Sequence, residues 1–501
     1  MNIKQAKEQL KQTVQAYLAR DPYGNPEIPA VAQRPILLMG PPGIGKTAIA
    51  HQAAQECGIA IVAYTMTHHT RQSAIGLPSI QTGSFDGKEF RITEYTMSEI
   101  VASVYQTMER TGLRQGILFL DEINCVSETL APAMLQFLQC KTFGNHQIPE
   151  DWIIVAAGNP PEYNRSVRDF DIVTLDRVRR IDIDADYPVW KEYAYLRQVH
   201  SAILAYLDIK RDHFYRIETT VDGKRFVTAR GWEDLSLMLS VSEKLDLPVD
   251  EALIAQYLQH PAIAKDFANY LNLYRKYQVD YDVTAILRGD IHNTTVQKLQ
   301  AAPFDERFSA IALLLDALFR SCAAANEADA FVTQLHQVLQ GVIGQLNGGT
   351  PWQDCLDREI TGRATLLEQQ KQAHQLDQAA LNRGQRILHT LEEYRTALAQ
   401  DSVTDSNAAA DFIRTRFQDQ VQARKEAILT TSGQLDCAFR FLEQVFGEGQ
   451  ELVIFLTELT VNHHSMTFIS ENGCEPYHRY NQLLLLGGRQ AQLVQELNNL
   501  E

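Results

Sequence analysis

The eight residues Gly40-Pro41-Pro42-Gly43-Ile44-Gly45-Lys46-Thr47 decide how this chain is read. They fit the pattern GxxxxGK[ST], and they stand between an apolar run, PILLM at 35–39, and a helical pattern over 47–56. That is the strand–loop–helix setting the pattern requires. Gly40, Gly43 and Gly45 let backbone N–H groups turn inward around phosphate oxygens, and the positive end of the following helix adds to the attraction. Lys46 is placed to reach the β- and γ-phosphates, and the Thr47 hydroxyl to ligate Mg²⁺. The whole loop from Gly40 to Thr47, with Pro41, Pro42 and Ile44, is therefore the candidate site for ATP.

A second signal lies downstream at 116–124, GILFLDEIN. An apolar strand there delivers Asp121 and Glu122 at its C-terminal end, where ligands bind in open α/β sheets. Asp121 is the candidate Mg²⁺ ligand, directly or through water. Glu122 is the candidate base that orients and deprotonates the attacking water.

Around these motifs short apolar runs alternate with helical stretches. PILLM, IAIVAYTM, GILFL, DWIIVAAG and RRIDID read as strands, with helices expected over 47–56, 98–110 and 129–139. Such alternation predicts a parallel sheet covered by helices on both faces. Thr96, three residues before Glu99, reads as a capping box for the second helix, and Gly58 suits the position just past the first. Residues 1–33 read as a helix, with Leu10, Val14, Tyr17 and Leu18 apolar, and a proline-rich connector. The core is expected over 34–185, a helical lid over 186–285, and an all-α region over 286–501. Within the last, Leu381, Leu388, Leu391 and Leu398 fall on heptad spacing over too few heptads for a coiled coil, and a helical hairpin is expected. The segment 67–90 carries Gly76, Gly83, Gly87 and Phe85, which suit a loop or hairpin; His68 and His69 in it read as ordinary polar residues. His463, His464, Cys474 and His478 follow no recognised zinc spacing.

The chain has 501 residues, 45% of them hydrophobic and 22% charged, with a formal net charge of −16. An acidic chain lacks the cation excess that drives generic binding to nucleic acid or anionic membrane. No run approaches the roughly 18 uncharged apolar residues of a membrane span, and the polar amphipathic N-terminus is unlike a signal peptide. Seven scattered cysteines without a CxxC pair read as free thiols of a reducing compartment. The expected location is the cytoplasm.

With these motifs in this order, the chain resembles the AAA+ superfamily, and within it the MoxR branch with its chelatase, McrB and CbbQ/NorQ relatives, over about residues 30–280. VAAGNPPEYN places Asn159 where the family keeps its sensor 1 residue. VTLDRVRRIDI resembles the segment carrying the arginine finger, which makes Arg177 the candidate, with Arg179 and Arg180 close by. VTARGWEDL resembles the sensor 2 motif and places Arg230 at the γ-phosphate, with Ala229 in place of the usual proline. The resemblance implies a ring, most often of six subunits, that hydrolyses ATP to remodel a protein partner, one with a von Willebrand A-type domain in the MoxR branch. A nucleic-acid motor of McrB type and a nucleotide-gated scaffold without turnover are the alternatives. The acidic charge counts against the first, the intact Asp121-Glu122 pair against the second.

Overall fold

The computed structural model describes residues 1–68, 74–85, 88–143, 146–163, 170, 172–220, 223–372 and 376–482; His69 and Gly87 lie outside them. The chain divides into two compact units, Met1–Val189 with Gly362–Gln385, and Trp190–Thr361 with Arg386–Glu501.

The first unit is built on five parallel strands, β1 (Ile36–Met39), β2 (Ala60–Thr65), β5 (Gly116–Asp121), β8 (Trp152–Gly158) and β9 (Arg179–Asp182), in the order β2-β5-β8-β1-β9. Alternate side chains serve opposite faces, as the two-residue repeat of a strand demands. Ile36, Leu38, Ile117, Phe119, Ile153 and Val155 face one way, packed under the helices α1 (Ile3–Leu18) and α2 (Lys46–Glu56). Leu37, Met39, Leu118, Leu120, Ile154 and Ala156 face the other, under Glu99–Thr111 and Ala131–Cys140. Because both faces are covered, the strands are continuous apolar runs rather than alternating ones. The N-terminal helix is thus part of the sandwich. It is fixed by an Asn2–Gln5 capping box, which the sequence reading overlooked.

The helix Glu99–Thr111 corrects another expectation. Its cap is Ser98, whose hydroxyl accepts from the Val101 N–H. Thr96 instead accepts from the Leu77 N–H, 2.9 Å away, closing the base of a hairpin. Two serviceable hydroxyls stand within three residues, and the strand end at Tyr95 takes Thr96. Gly58 does sit just past α2 with φ +67°. The segment after β2 forms an antiparallel hairpin, β3 (Pro78–Phe85) with β4 (Lys88–Tyr95). A short pair, β6 (Thr142–Phe143) and β7 (His146–Gln147), precedes β8. Lys141, in a left-handed turn, donates to the Glu150 and Trp152 carbonyls and so fixes the start of β8. Burial pushes its ammonium down to about 8.

The second unit is mostly helical, apart from a hairpin the sequence did not announce, β10 (Arg216–Thr220) with β11 (Gly223–Val227). Tyr206, Trp232 and Phe267 pack edge-on and tilted against one another beside it. Helices of 44 and 41 residues, Phe304–Asn347 and Ser406–Phe446, run through this unit. Their near ends share a core with Gln450–Val461 and His463–Asn472, and their far ends a second core with Trp352–Gln372 and Gln378–Gln400. The expected hairpin is formed by those last two helices, close enough that a Cβ on Gly384 would meet Leu367 at 2.7 Å.

Among the described residues, Phe304–Asn347 is the helix that comes nearest to a membrane span. By length and composition it could cross a bilayer, with a mean hydropathy of 1.6 over a window that is 56% buried inside the protein. Asp316 and Arg320, ion-paired at 2.9 Å, interrupt the apolar run, so it is not the uncharged stretch of a membrane span.

One buried ionic group fastens this unit together. The Lys191 ammonium donates to both carboxylate oxygens of Asp208, at 2.8 and 2.7 Å, and to Glu458 at 2.7 Å. The Tyr195 hydroxyl also donates to Glu458. Removing the cation leaves two largely buried carboxylates facing each other. We expect Lys191→Met to destabilise the unit by about 3–5 kcal/mol, read as a lower urea midpoint at pH 7. An unchanged midpoint would mean the carboxylates are solvated enough to stand alone.

Candidate nucleotide site

Because β1, β5 and β8 are parallel neighbours or near neighbours, their C-terminal ends open on one edge of the sheet. The crossover from β1 to β2 passes over β8 and β5, so that edge is also where the connections diverge. The loop after β1 begins at Gly40, where a Cβ would lie 2.5 Å from the Ile183 carbonyl oxygen. Gly43 and Gly45 take φ of +74° and +95°. These left-handed turns wrap the loop over the end of α2, whose N-cap Gly45 supplies no capping side chain. The first N–H groups of the helix are thereby left for an anion.

Lys46 is 7% exposed. Its ammonium donates to the carbonyls of Gly40 and Pro41 and to Asn159 Oδ1, all at 2.8 Å. A phosphate oxygen can take the place of any of these acceptors without moving the side chain's root. The Thr47 hydroxyl donates to Asp121 Oδ2 at 2.7 Å. A hydroxyl and a carboxylate at this separation are hard oxygen ligands on one side of a cavity, and phosphate and water complete such a set for Mg²⁺. The residues present therefore fit both ATP and its metal. Among the described residues no group of three or more His, Cys, Asp or Glu is arranged to hold a metal by itself.

Glu122 adopts φ +55°, ψ +37°, a left-handed conformation that is uncommon for a residue with a Cβ and gathers at functional sites. Its N–H donates to Asp121 Oδ1 at 2.9 Å, and its Oε2 accepts from the Thr67 hydroxyl at 3.0 Å. The sharp turn throws the two adjacent carboxylates in different directions, Asp121 toward Thr47 and Glu122 toward Thr67. Burial pushes the neighbouring Cys125 thiol up, and the carboxylates of Glu122 and Asp121 push it further, so it stays protonated beside them. Thr67 escaped the sequence reading. Its only signal was a hydroxyl one turn beyond the end of β2.

The structure thus brings Lys46, Thr47, Asp121, Glu122 and Asn159 together. Arg177 follows the short helix Ile172–Leu175; it is exposed, and its guanidinium has no partner among the described residues. Arg179, by contrast, donates to Thr13, and Arg180 pairs with Asp182 at 2.8 Å. Arg230 is exposed in the first turn of Ala229–Lys244, in the second unit; Thr228 caps that helix by accepting from Gly231.

Residues 36–174 match the family described as "ATPase family associated with various cellular activities (AAA)". The match takes in the loop, Asp121, Glu122 and Asn159, and stops short of Arg177 and Arg230. Over these residues the α/β part of the chain is similar to the AAA family, and the described residues beyond β9 are mostly helical. No curated protein matches the chain. Among solved structures it is similar to RuvB of Thermotoga maritima. One mutant form is 17% identical, covering 38% of this chain and 51% of that one, with a TM-score of 0.24. A second mutant is 16% identical over 41% and 52%, with a TM-score of 0.25. The same organism's RuvB Holliday junction branch migration motor is 16% identical over 41% and 51%, with a TM-score of 0.24. The chain spans about half the length of these structures.

Proposed function

We propose that this protein binds ATP with Mg²⁺ and hydrolyses it as a MoxR-like AAA+ ATPase, working as a ring, most often of six subunits, to remodel a protein partner. The observation that carries the reading is the convergence, at one edge of the sheet, of a phosphate loop, a cation, a hydroxyl–carboxylate pair and a separate carboxylate. Lys46 and the N–H groups of α2 would hold the phosphates, Thr47 and Asp121 would hold Mg²⁺, and bound Mg²⁺ would neutralise charge between the β- and γ-phosphates. Glu122, braced by Thr67, would take the proton of the attacking water, with Asn159 beside the γ-phosphate. Arg177 serves as the finger to a neighbouring subunit, since Arg179 and Arg180 are already engaged within their own chain. By the resemblance Arg230 is assigned the sensor 2 role.

The partner, with a von Willebrand A-type domain, and a cytoplasmic location follow from the resemblance and the composition. The helical region from 286 onward is the surface we assign to that partner. Nucleic acid and membrane are disfavoured as partners by the net charge of −16.

The reading is tested first at Lys46. Lys46→Ala removes charge-assisted hydrogen bonds of about 1.5–3 kcal/mol. ATP affinity should fall at least about tenfold, measured by titration calorimetry with Mg²⁺ present. Unchanged affinity would defeat the assignment of the loop.

A further inference from the structure

Asn124 lies two residues beyond Glu122 in the short helical turn Ile123–Cys125, and it is 3% exposed. Its Nδ2 donates to the backbone carbonyl of Asn159 at 2.7 Å. Its Oδ1 is buried and has no hydrogen-bond partner among the described residues. Gly158 makes room for it: a Cβ there would stand 2.7 Å from Asn124 Oδ1 and 3.1 Å from Met39 Sδ. The Gly158 carbonyl in turn accepts from the Gly40 N–H at 3.4 Å.

A buried amide with one unpaired end is costly for stability, because the desolvation of its orphan oxygen is offset by no hydrogen bond. What the amide does achieve is geometric. It pins the backbone of Asn159 to the turn that carries Glu122, while the side chain of Asn159 meets Lys46. The ends of β5 and β8 and the loop after β1 are thereby joined through Asn159, which Asn124 and Lys46 both engage.

We propose that Asn124 is a positioning residue for hydrolysis, a latch that holds Asn159 in register with Glu122 and Lys46. The proposal rests on the ATPase reading above. In this role Asn124 acts through Asn159, to whose carbonyl it donates, and not on the nucleotide.

The test compares Asn124→Leu, Asn159→Ala and the double variant in the full-length protein, with ATPase rate, ATP affinity by calorimetry and thermal midpoint measured for each. Asn124→Leu should lower kcat about tenfold or more, as small misplacements at a reacting centre do. Its ATP affinity should stay within about threefold, and its thermal midpoint should move little, because loss of the orphan oxygen offsets loss of the donor to the Asn159 carbonyl. In the Asn159→Ala background the same substitution should cost less than about a further twofold, since coupled groups are non-additive. Asn124→Ser serves as a second variant if leucine misfolds, with the same kinetic pattern expected. An unchanged kcat, fully multiplicative losses, or a lower midpoint with parallel loss of ATP binding would each overturn the latch. If Asn159→Ala alone leaves kcat unchanged, it is the assignment of Asn159 that fails, and the latch with it.

Discussion

Glu122→Gln leaves ATP binding intact and removes most of the turnover. The amide fills the same space and can still accept from the Thr67 hydroxyl, which now donates to the carboxylate at 3.0 Å, so the left-handed turn at Glu122 keeps its brace. What it cannot do is accept the proton of water. General base catalysis contributes about 10²–10⁴-fold, and a loss in that range is expected in phosphate release under saturating ATP. Affinity measured by calorimetry should not weaken, because the substitution removes a negative charge near a triphosphate. Turnover near the wild-type rate would place the base elsewhere. The same variant tests the remodelling role. An assembly held in its ATP-bound form should retain a partner through affinity capture, and a captured protein without a von Willebrand A-type domain would argue against the MoxR branch.

Arg177→Ala binds ATP about as well as the wild type and hydrolyses it far more slowly, with a loss on the order of 10³-fold if it acts as other arginine fingers do. The physical case is that phosphoryl transfer leaves negative charge on the equatorial oxygens, and a planar, permanently charged guanidinium stabilises it. Such a group must be uncommitted in its own chain, and Arg177 is exposed while Arg179 and Arg180 have partners at Thr13 and Asp182. Mixing Arg177→Ala with Lys46→Ala subunits decides the point. Interfaces that pair an intact loop with an intact finger should regain activity that neither parent has. ATPase rate is followed against mixing ratio after subunit exchange, with mixed rings confirmed by mass. A flat zero line would show that Arg177 does not act in trans, and Arg179 and Arg180 would be tested next.

The α/β core was legible in the sequence because its information is local. Runs of four to eight apolar residues specify strands buried on both faces, and GPPGIGKT and LFLDEIN each supply a strand end, a turn and the polar groups that follow within a few residues. Helix limits were legible to within a residue or two, since caps and glycines mark them, but the choice between Thr96 and Ser98 was not. Both can cap; only the hairpin that takes Thr96 through Leu77 decides.

What the sequence alone determined, then, is that a phosphate loop and a carboxylate pair stand at the ends of two buried strands. Only the tertiary structure decided what each group meets. Lys46 and Asn159 are separated by 113 positions, Thr67 and Glu122 by 55, Asn124 and Asn159 by 35. No periodicity or spacing encodes such pairs; they arise because parallel strands place their C-terminal ends side by side in the order the sheet dictates. The same holds for the long helices beyond residue 304. Their apolar stripes announce burial, but which stripe covers which is fixed by packing among helices distant in the chain, as where Lys191 meets Glu458. Arg177, finally, stands apart from Arg179 and Arg180 only because β9 and α1 claim its two neighbours.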